Sequence, residues 1–288
     1  MNQRRAAIAM VVASVAVIQV AASFAKSLFE ATGPLTMTWL RLVTAGVLLA
    51  LVARPRLRGH SSRDWLTLLG YTAALVGMNV SIYQAMARMP LGVAVTIEFL
   101  GPLAVAVATG RGWRDYAWAG LAFAGVALFG WAPGSLTWAG AGFALVAAAG
   151  WASYILIGPA VGRRWAGVEA VAYANLAGAV ALAVPVLIWH GPVLSHLWVW
   201  AAGFGVGLLN SVIPYSLELQ ALRRLEKRIF SILMSLEPAL AALAALAVLG
   251  ERLTGVDLVA MACVVAASAG VTWRARPAAG EASARTPI

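Results

Sequence analysis

Ten apolar stretches follow one another along this chain with hardly a pause, at 6–26, 34–53, 65–87, 91–109, 115–132, 137–158, 169–189, 197–220, 229–249 and 256–274. Each comes close to the roughly 20 residues that an α-helix needs to cross a hydrocarbon layer. Short turns containing Gly, Pro, Arg or Asp separate them. None alternates apolar and polar residues, and several are too long for barrel strands. Inside lipid only a helix satisfies all its own backbone groups, so the pattern predicts an all-α membrane protein with ten transmembrane helices. Composition points the same way. Only 11% of residues are charged and 62% are hydrophobic, whereas a water-soluble domain carries about 25% charged residues.

The positive charges sort by loop. Arg4 and Arg5 precede the first stretch, and Arg54, Arg56, Arg58 and Arg63 occupy the second connection. Arg111 and Arg114 lie in the fourth connection, Arg163 and Arg164 in the sixth, and Arg223, Arg224, Lys227 and Arg228 in the eighth. Arg274, Arg276 and Arg285 follow the last stretch. The other side receives Lys26, Arg88 and Arg252, so the split is 17 against 3, with Arg41 left inside a stretch. Lys and Arg collect in cytoplasmic loops, which puts both termini in the cytoplasm and requires an even number of spans. The net charge of +10 is thus a topology signal and not a sign of nucleic-acid binding. Arg4, Arg5 and the small residues at 21–25 resemble a signal peptide, but nothing downstream reads as a secreted domain. Trp65, Trp113, Trp118, Trp165 and Trp273 fall near the inner interface by this map, and Trp131, Trp138, Trp189, Trp198 and Trp200 near the outer one, as aromatic anchors do.

Ten spans divide into five and five. Because five is odd, the second set would cross the membrane in the opposite sense to the first. Gln84-Ala85 precedes Pro102 by the separation at which Gln220-Ala221 precedes Pro238. An inverted repeat with the substrate site near the bilayer midplane is a common build of secondary carriers. The expected boundaries are 1–132 for the first repeat, 133–276 for the second and 277–288 for a disordered cytoplasmic tail.

Polar groups inside such spans are costly and usually face the bundle interior. Arg41, Glu98, Glu218 and Glu237 are the ionisable ones. Arg41 is expected to pair with an intramembrane glutamate, and Glu218 with the basic loop at 223–228. Pro102 and Pro238 are expected to break or bend their helices, with Glu98 and Glu237 close to the breaks. Gln19, Trp39, Asn79, Tyr83, Trp151, Tyr154, Asn210 and Tyr215 supply neutral polar or aromatic groups at depth. Asn79 and Tyr83 share a helix face, as do Trp151 and Tyr154. Together with Glu98 they are the residues expected to bind substrate, in a wet cavity that can hold a zwitterion, with acceptors or aromatic faces for its ammonium and donors for its carboxylate.

Other chemistries find less support. His60, His190 and His196 fall in or beside loops, too few together for a metal site. No nucleophile, base and orienting group converge at one depth, so no catalytic residues and no enzyme are expected. The glycines around 203–207 have no Walker-type Lys-Ser/Thr after them and read as helix-packing positions, so no nucleotide cofactor is expected. Cys263 reads as a small buried side chain.

Several stretches resemble the EamA-type branch of the drug/metabolite transporter superfamily. They are Pro90-Leu91-Gly92-Val93-Ala94-Val95, Ile97-Glu98-Phe99-Leu100-Gly101-Pro102-Leu103-Ala104-Val105, Gly150-Trp151-Ala152-Ser153-Tyr154-Ile155-Leu156, Pro214-Tyr215-Ser216-Leu217-Glu218, Leu233-Met234-Ser235-Leu236-Glu237-Pro238-Ala239-Leu240-Ala241-Ala242 and Leu249-Gly250-Glu251-Arg252-Leu253-Thr254. Within that branch the chain looks most like bacterial inner-membrane threonine/homoserine exporters, whose relatives export methionine, aromatic amino acids or other metabolites. The Arg-rich stretch at 54–63 departs from the pattern. The resemblance implies a carrier for a small-molecule amino acid, embedded in the lipid bilayer, with two inverted five-helix repeats around a central cavity. It leaves an exporter of drugs or other small metabolites open, and the residues alone leave a passive channel open. Whether one copy or two make the working unit is not legible.

Overall fold

The computed structural model describes residues 2–54, 59–109, 113–131, 136–166, 168–222 and 224–274; the side chains at 2–4, 113–115, 215, 216, 219, 222, 227, 228 and 271–274 lie outside that description. The expected tail at 277–288, Arg56, Arg58 and Arg111 lie outside it too. All regular structure among the described residues is helical. It runs α1 (Asn2–Ser27), α2 (Phe29–Thr32), α3 (Pro34–Ala53), α4 (Ser62–Met86), α5 (Leu91–Glu98), α6 (Leu100–Thr109), α7 (Trp113–Phe129), α8 (Trp138–Gly162), α9 (Glu169–His190), α10 (Leu197–Gly207), α11 (Ile213–Leu222), α12 (Lys227–Met234), α13 (Glu237–Leu249) and α14 (Gly255–Arg274). A 3-10 turn at Gly191–Ser195 follows α9, and a π-turn at Leu208–Val212 joins α10 to α11.

Among the described residues, seven runs are long and apolar enough to cross a membrane: Arg5–Ser27, Pro34–Ala53, Ser62–Met86, Leu91–Thr109, Trp138–Gly162, Glu169–Ser195 and Ile229–Leu249. Tyr116–Phe129, Leu197–Val212 and Gly255–Gly270 are apolar but shorter. The outer surface is itself apolar: Phe123 is 74% exposed and Leu197 83%. Water would not tolerate so continuous an apolar surface, whereas lipid does.

Helix starts follow local chemistry. Ser61 and Asp64 form a reciprocal capping box at the head of α4, and Thr254 and Asp257 exchange the same pair of bonds at the head of α14. Each satisfies backbone N–H groups that a helix start leaves over. Arg164 reaches back from the end of α8 to Asp64 at 3.3 Å and to the Thr67 hydroxyl. Trp165, expected as an interfacial anchor, is instead buried. It stacks on His60 at 3.7 Å and meets Trp65 and Tyr173 edge-on.

The packing pairs are α4 with α8, α1 with α11 and the π-turn, α3 with α9, α7 with α14, α1 with α13, α6 and α5 with α8, α4 with α9, α10 with α3, and α5 with α13. Small residues allow the close crossings. A Cβ on Gly101 would run into the carbonyl of Ala148, so α6 and α8 touch there backbone to backbone.

Two transmembrane runs are interrupted. Leu91–Thr109 breaks at Phe99, between α5 and α6; the run from Lys227 to Leu249 breaks at Ser235 and Leu236, between α12 and α13. Proline explains both positions. Its ring clashes with the carbonyl four residues back and it brings no N–H to bond there. Four residues before Pro102 is Glu98, the last residue of α5; four before Pro238 is Met234, the last of α12. Pro214 frees the carbonyl of Asn210 in the same way, and there the backbone widens into the π-turn without breaking.

One end of the bundle is tied across three elements. Lys26 Nζ, near the end of α1, meets Glu251 Oε1 at 2.6 Å and donates to the Met89 carbonyl at 2.7 Å. The Leu91 N–H, at the start of α5, donates to Glu251 Oε2 at 2.9 Å. Gly250 turns the chain there with φ +67°, a left-handed cap that glycine adopts without strain.

Candidate functional site

A cavity of about 270 Å³ lies inside the bundle. Its wall takes Ile18, Gln19 and Ala22 from α1, Arg41 and Leu49 from α3, and Asn79 and Tyr83 among others from α4. Glu98 comes from α5, Trp151 and Tyr154 from α8, Val171 and Asn175 from α9, Asn210 and Ser211 from the π-turn, Glu218 from α11, Met234 from α12 and Glu237 from α13. Of the nine residues expected to bind substrate, seven therefore meet: Gln19, Asn79, Tyr83, Glu98, Trp151, Tyr154 and Asn210.

Trp39 does not join them. Its Nε1 donates to the Ala179 carbonyl at 2.8 Å and its ring meets Trp200 edge-on at 5.7 Å, so it ties α3 to α9 and α10. Tyr215 lies on α11, but its side chain is outside the described residues.

Spacing explains the convergence. Asn79 and Tyr83 sit one turn apart on α4, and Trp151 and Tyr154 share a face of α8. The Tyr154 ring packs on Tyr71 at 4.8 Å, and Phe99, the residue at the first helix break, meets Trp151 edge-on at 5.6 Å. The amides of Asn79 and Asn175 each donate to the carbonyl four residues back, at 2.8 and 2.7 Å. Those bonds use one amide proton each and leave the rest of each head group for the cavity.

The charged groups depart from expectation. No carboxylate lies within 4.0 Å of Arg41 among the described residues. Its guanidinium stands over the Tyr83 ring instead, 5.7 Å from the centroid, an arrangement that cation–π attraction favours. Glu218 accepts from the Ser14 hydroxyl at 2.8 Å and lines the cavity; of the basic loop expected to pair with it, Arg224 is exposed, while Arg223 and the side chains of Lys227 and Arg228 lie outside the described residues. Glu237 accepts from Gln19 Nε2 at 3.1 Å, which joins α13 to α1. Glu98 and Glu237 are both buried.

Asn175 and Ser211 also line the cavity. Asn175 was findable by the signal that marked Asn79 and Asn210, a lone amide inside an apolar helix. The apolar part of the lining, with Ile18, Met78, Met86 and Met234, left no such signal, because those residues look like any others in a membrane helix.

The cavity, its amides and its aromatic rings are what a small polar molecule needs for transient binding. A profile of the EamA-like transporter family matches residues 138–273. The threonine/homoserine exporter RhtA of Escherichia coli (strain K12) is 38% identical over 273 residues, covering 93% of this chain and 92% of that protein. RhtA of Salmonella typhimurium (strain LT2) is 38% identical over 263 residues, covering 90% and 88%. A protein of known crystal structure, 21% identical, shares the fold with a TM-score of 0.63 over 92% of this chain and 96% of its own. This multi-pass membrane protein is therefore a transporter and not an enzyme, and the chain belongs to the EamA-like transporter family.

Proposed function

We propose that this protein exports threonine, homoserine and amino acids like them across the bacterial inner membrane, as a secondary carrier working by alternating access. The observation that carries the reading is the 38% identity to a threonine/homoserine exporter over almost the whole of both chains. A cavity lined by amides, carboxylates, a guanidinium and aromatic rings supports it, since a free amino acid needs partners for both of its charges. Gln19, Asn79, Tyr83, Glu98, Trp151, Tyr154 and Asn210 are its proposed substrate-binding residues. Tyr215 remains a proposed member from its position on α11.

The proposed architecture is ten transmembrane helices in two inverted repeats, 1–132 and 133–276, with both termini cytoplasmic. The seven long and three shorter apolar runs support the count. The packing pairs support the repeat. Exchanging the halves converts the α4–α8 contact into α11–α1, α4–α9 into α10–α3, and α5/α6–α8 into α12/α13–α1; all six are present. Exchange maps α3–α9 and α7–α14 onto themselves.

Orientation then follows from loop charge. The Lys26–Glu251 tie falls at the outer end of the bundle. Leu49, Val171 and Glu218 extend the cavity wall toward the inner ends of their helices, which supports an inward-facing state.

Counterflow tests the function. Purified protein in liposomes preloaded with unlabelled threonine should take up labelled threonine saturably, and methionine and phenylalanine as competitors should set the breadth. Linear, non-saturable uptake that ignores internal amino acid would indicate a channel. No uptake of any amino acid by folded protein would sink the reading.

A further inference from the structure

The cavity wall holds three buried polar atoms without a hydrogen-bond partner among the described residues: Gln19 Oε1, Glu237 Oε2 and Tyr83 Oη. Buried polar groups are nearly always paired, so three orphans on one cavity wall mark places where a ligand completes the bonding. Gln19 is 2% exposed, Glu237 8% and Tyr83 1%. They fall into two sets of opposite character.

The first set joins α1 to α13. Gln19 turns its amide nitrogen to Glu237 Oε1. The reverse orientation would set the amide oxygen against a carboxylate, so the network fixes it. The two atoms left over, Gln19 Oε1 and Glu237 Oε2, are both acceptors. An ammonium offers three donors and a full positive charge, and such charge-assisted bonds are the strong ones. A substrate carboxylate would be repelled there.

The second set sits on α3 and α4. Arg41 is a permanent cation with five N–H donors, stands over the Tyr83 ring, and has no carboxylate within 4.0 Å among the described residues. The hydroxyl on the Tyr83 ring that Arg41 stands over can donate as well. Arg41 and Tyr83 thus offer donors where Gln19 and Glu237 offer acceptors.

We infer that the cavity reads its cargo by polarity: the Gln19–Glu237 pair takes the α-ammonium, and Arg41 with the Tyr83 hydroxyl takes the carboxylate. This rests on the amino-acid reading and makes Glu237 and Arg41 specificity-determining residues in place of helix-packing or gating groups. The side chain of the substrate is left to Trp151, Tyr154 and the methionines, which sort by bulk more than by charge.

Two truncated forms of threonine separate the subsites. 1-Aminopropan-2-ol keeps the ammonium and lacks the carboxylate; 3-hydroxybutyrate keeps the carboxylate and lacks the ammonium. Both are used as competitors of labelled threonine counterflow in proteoliposomes. Glu237→Gln should raise the half-saturating threonine concentration about tenfold or more. It should weaken inhibition by the amino alcohol by a similar factor and leave inhibition by the hydroxy acid within about twofold. Arg41→Gln should do the converse, and Tyr83→Phe should weaken the hydroxy acid selectively. Should Glu237→Gln aggregate on gel filtration, Gln19→Leu removes the other acceptor without a charge change and should show the same selectivity. Equal weakening of both competitors by these variants, or an amino alcohol that never competes with the wild type, would overturn the inference alone. A wild type that exchanges no amino acid would instead remove the functional reading beneath it.

Discussion

The two interrupted helices use one backbone device and finish it differently. In each, the first segment ends four residues before a proline, at Glu98 and at Met234. Counting back from Pro102 and Pro238, Phe99 corresponds to Ser235 and Gly101 to Glu237. Phe99 packs edge-on against Trp151 of α8, while the Ser235 hydroxyl lies 2.9 Å from that of Ser268 on α14. Gly101 lets α6 touch α8, whereas Glu237 reaches Gln19 on α1 and turns an oxygen to the cavity. The first break is closed by packing and the second by polar contacts. Proline sets where the chain opens, and the neighbouring residues decide what the opening does.

The largest expected effect lies at the crossing of the first helix. Gly101→Ala puts a methyl against the Ala148 carbonyl, backbone that cannot step aside without separating α6 from α8. Overpacking of this kind costs about 3 kcal/mol, and a thermal-melt midpoint in detergent should fall by about 10 °C. An unchanged midpoint would mean that the two helices are not in backbone contact. Next comes the aromatic pair at the break. Trp151→Ala removes the ring that Phe99 packs on and opens the cavity wall. Initial counterflow of threonine per folded protein should drop about tenfold, because buried aromatic contacts carry much of the binding at such sites. If Trp151→Ala and Tyr83→Ala both left transport intact, this cavity would not be the substrate site.

Much of this was legible because lipid is a severe solvent. A 20-residue apolar run has few alternatives to a helix, and proline four residues after Glu98 or Met234 names the break. Lone amides such as Asn79 and Asn210 stood out because membrane helices seldom carry them. What failed to show is which way a side chain turns. Trp39 and Trp151 are both tryptophans inside apolar helices, yet one donates to Ala179 in a helix–helix seam and the other faces the cavity. Arg41 invited a close pair with a glutamate; Glu98 is near enough to feel its charge, but no carboxylate lies within 4.0 Å among the described residues and the guanidinium rests over Tyr83. Glu218 invited attention to the arginines next to it in sequence, and nothing local pointed to the serine 204 residues away that donates to it. Such choices depend on helix rotation, which one apolar-all-round sequence does not encode.

A smaller effect is expected where the first interrupted helix begins. The start of α5 is held by Glu251, and through it by Lys26. Both side chains are partly exposed, 17% and 19%, so the pair is worth no more than about 1 kcal/mol. That energy is about a fivefold change in an open–closed equilibrium. In a Cys263→Ala background, Met89→Cys, at a buried position beside the tie, should react with a membrane-impermeant maleimide from the proposed outer side about fivefold faster when Lys26→Met is added. No change would mean that the tie does not hold the outer end shut.

The smallest effect tests the polar closure of the second break. Ser235→Ala removes the Ser235–Ser268 bond between the α12/α13 break and α14. In membrane bundles such a bond is worth about 0.6 kcal/mol, since the unfolded chain finds other partners. The melt midpoint should therefore move by only about 1–2 °C. The Ser235 hydroxyl is also 3.2 Å from the Ser231 carbonyl, a bond it could keep even without Ser268, so Ser268→Ala should cost no more than Ser235→Ala. A shift as large as that of Gly101→Ala would mean that the second break, like the first, is held by close packing, and the contrast between the two helices would disappear.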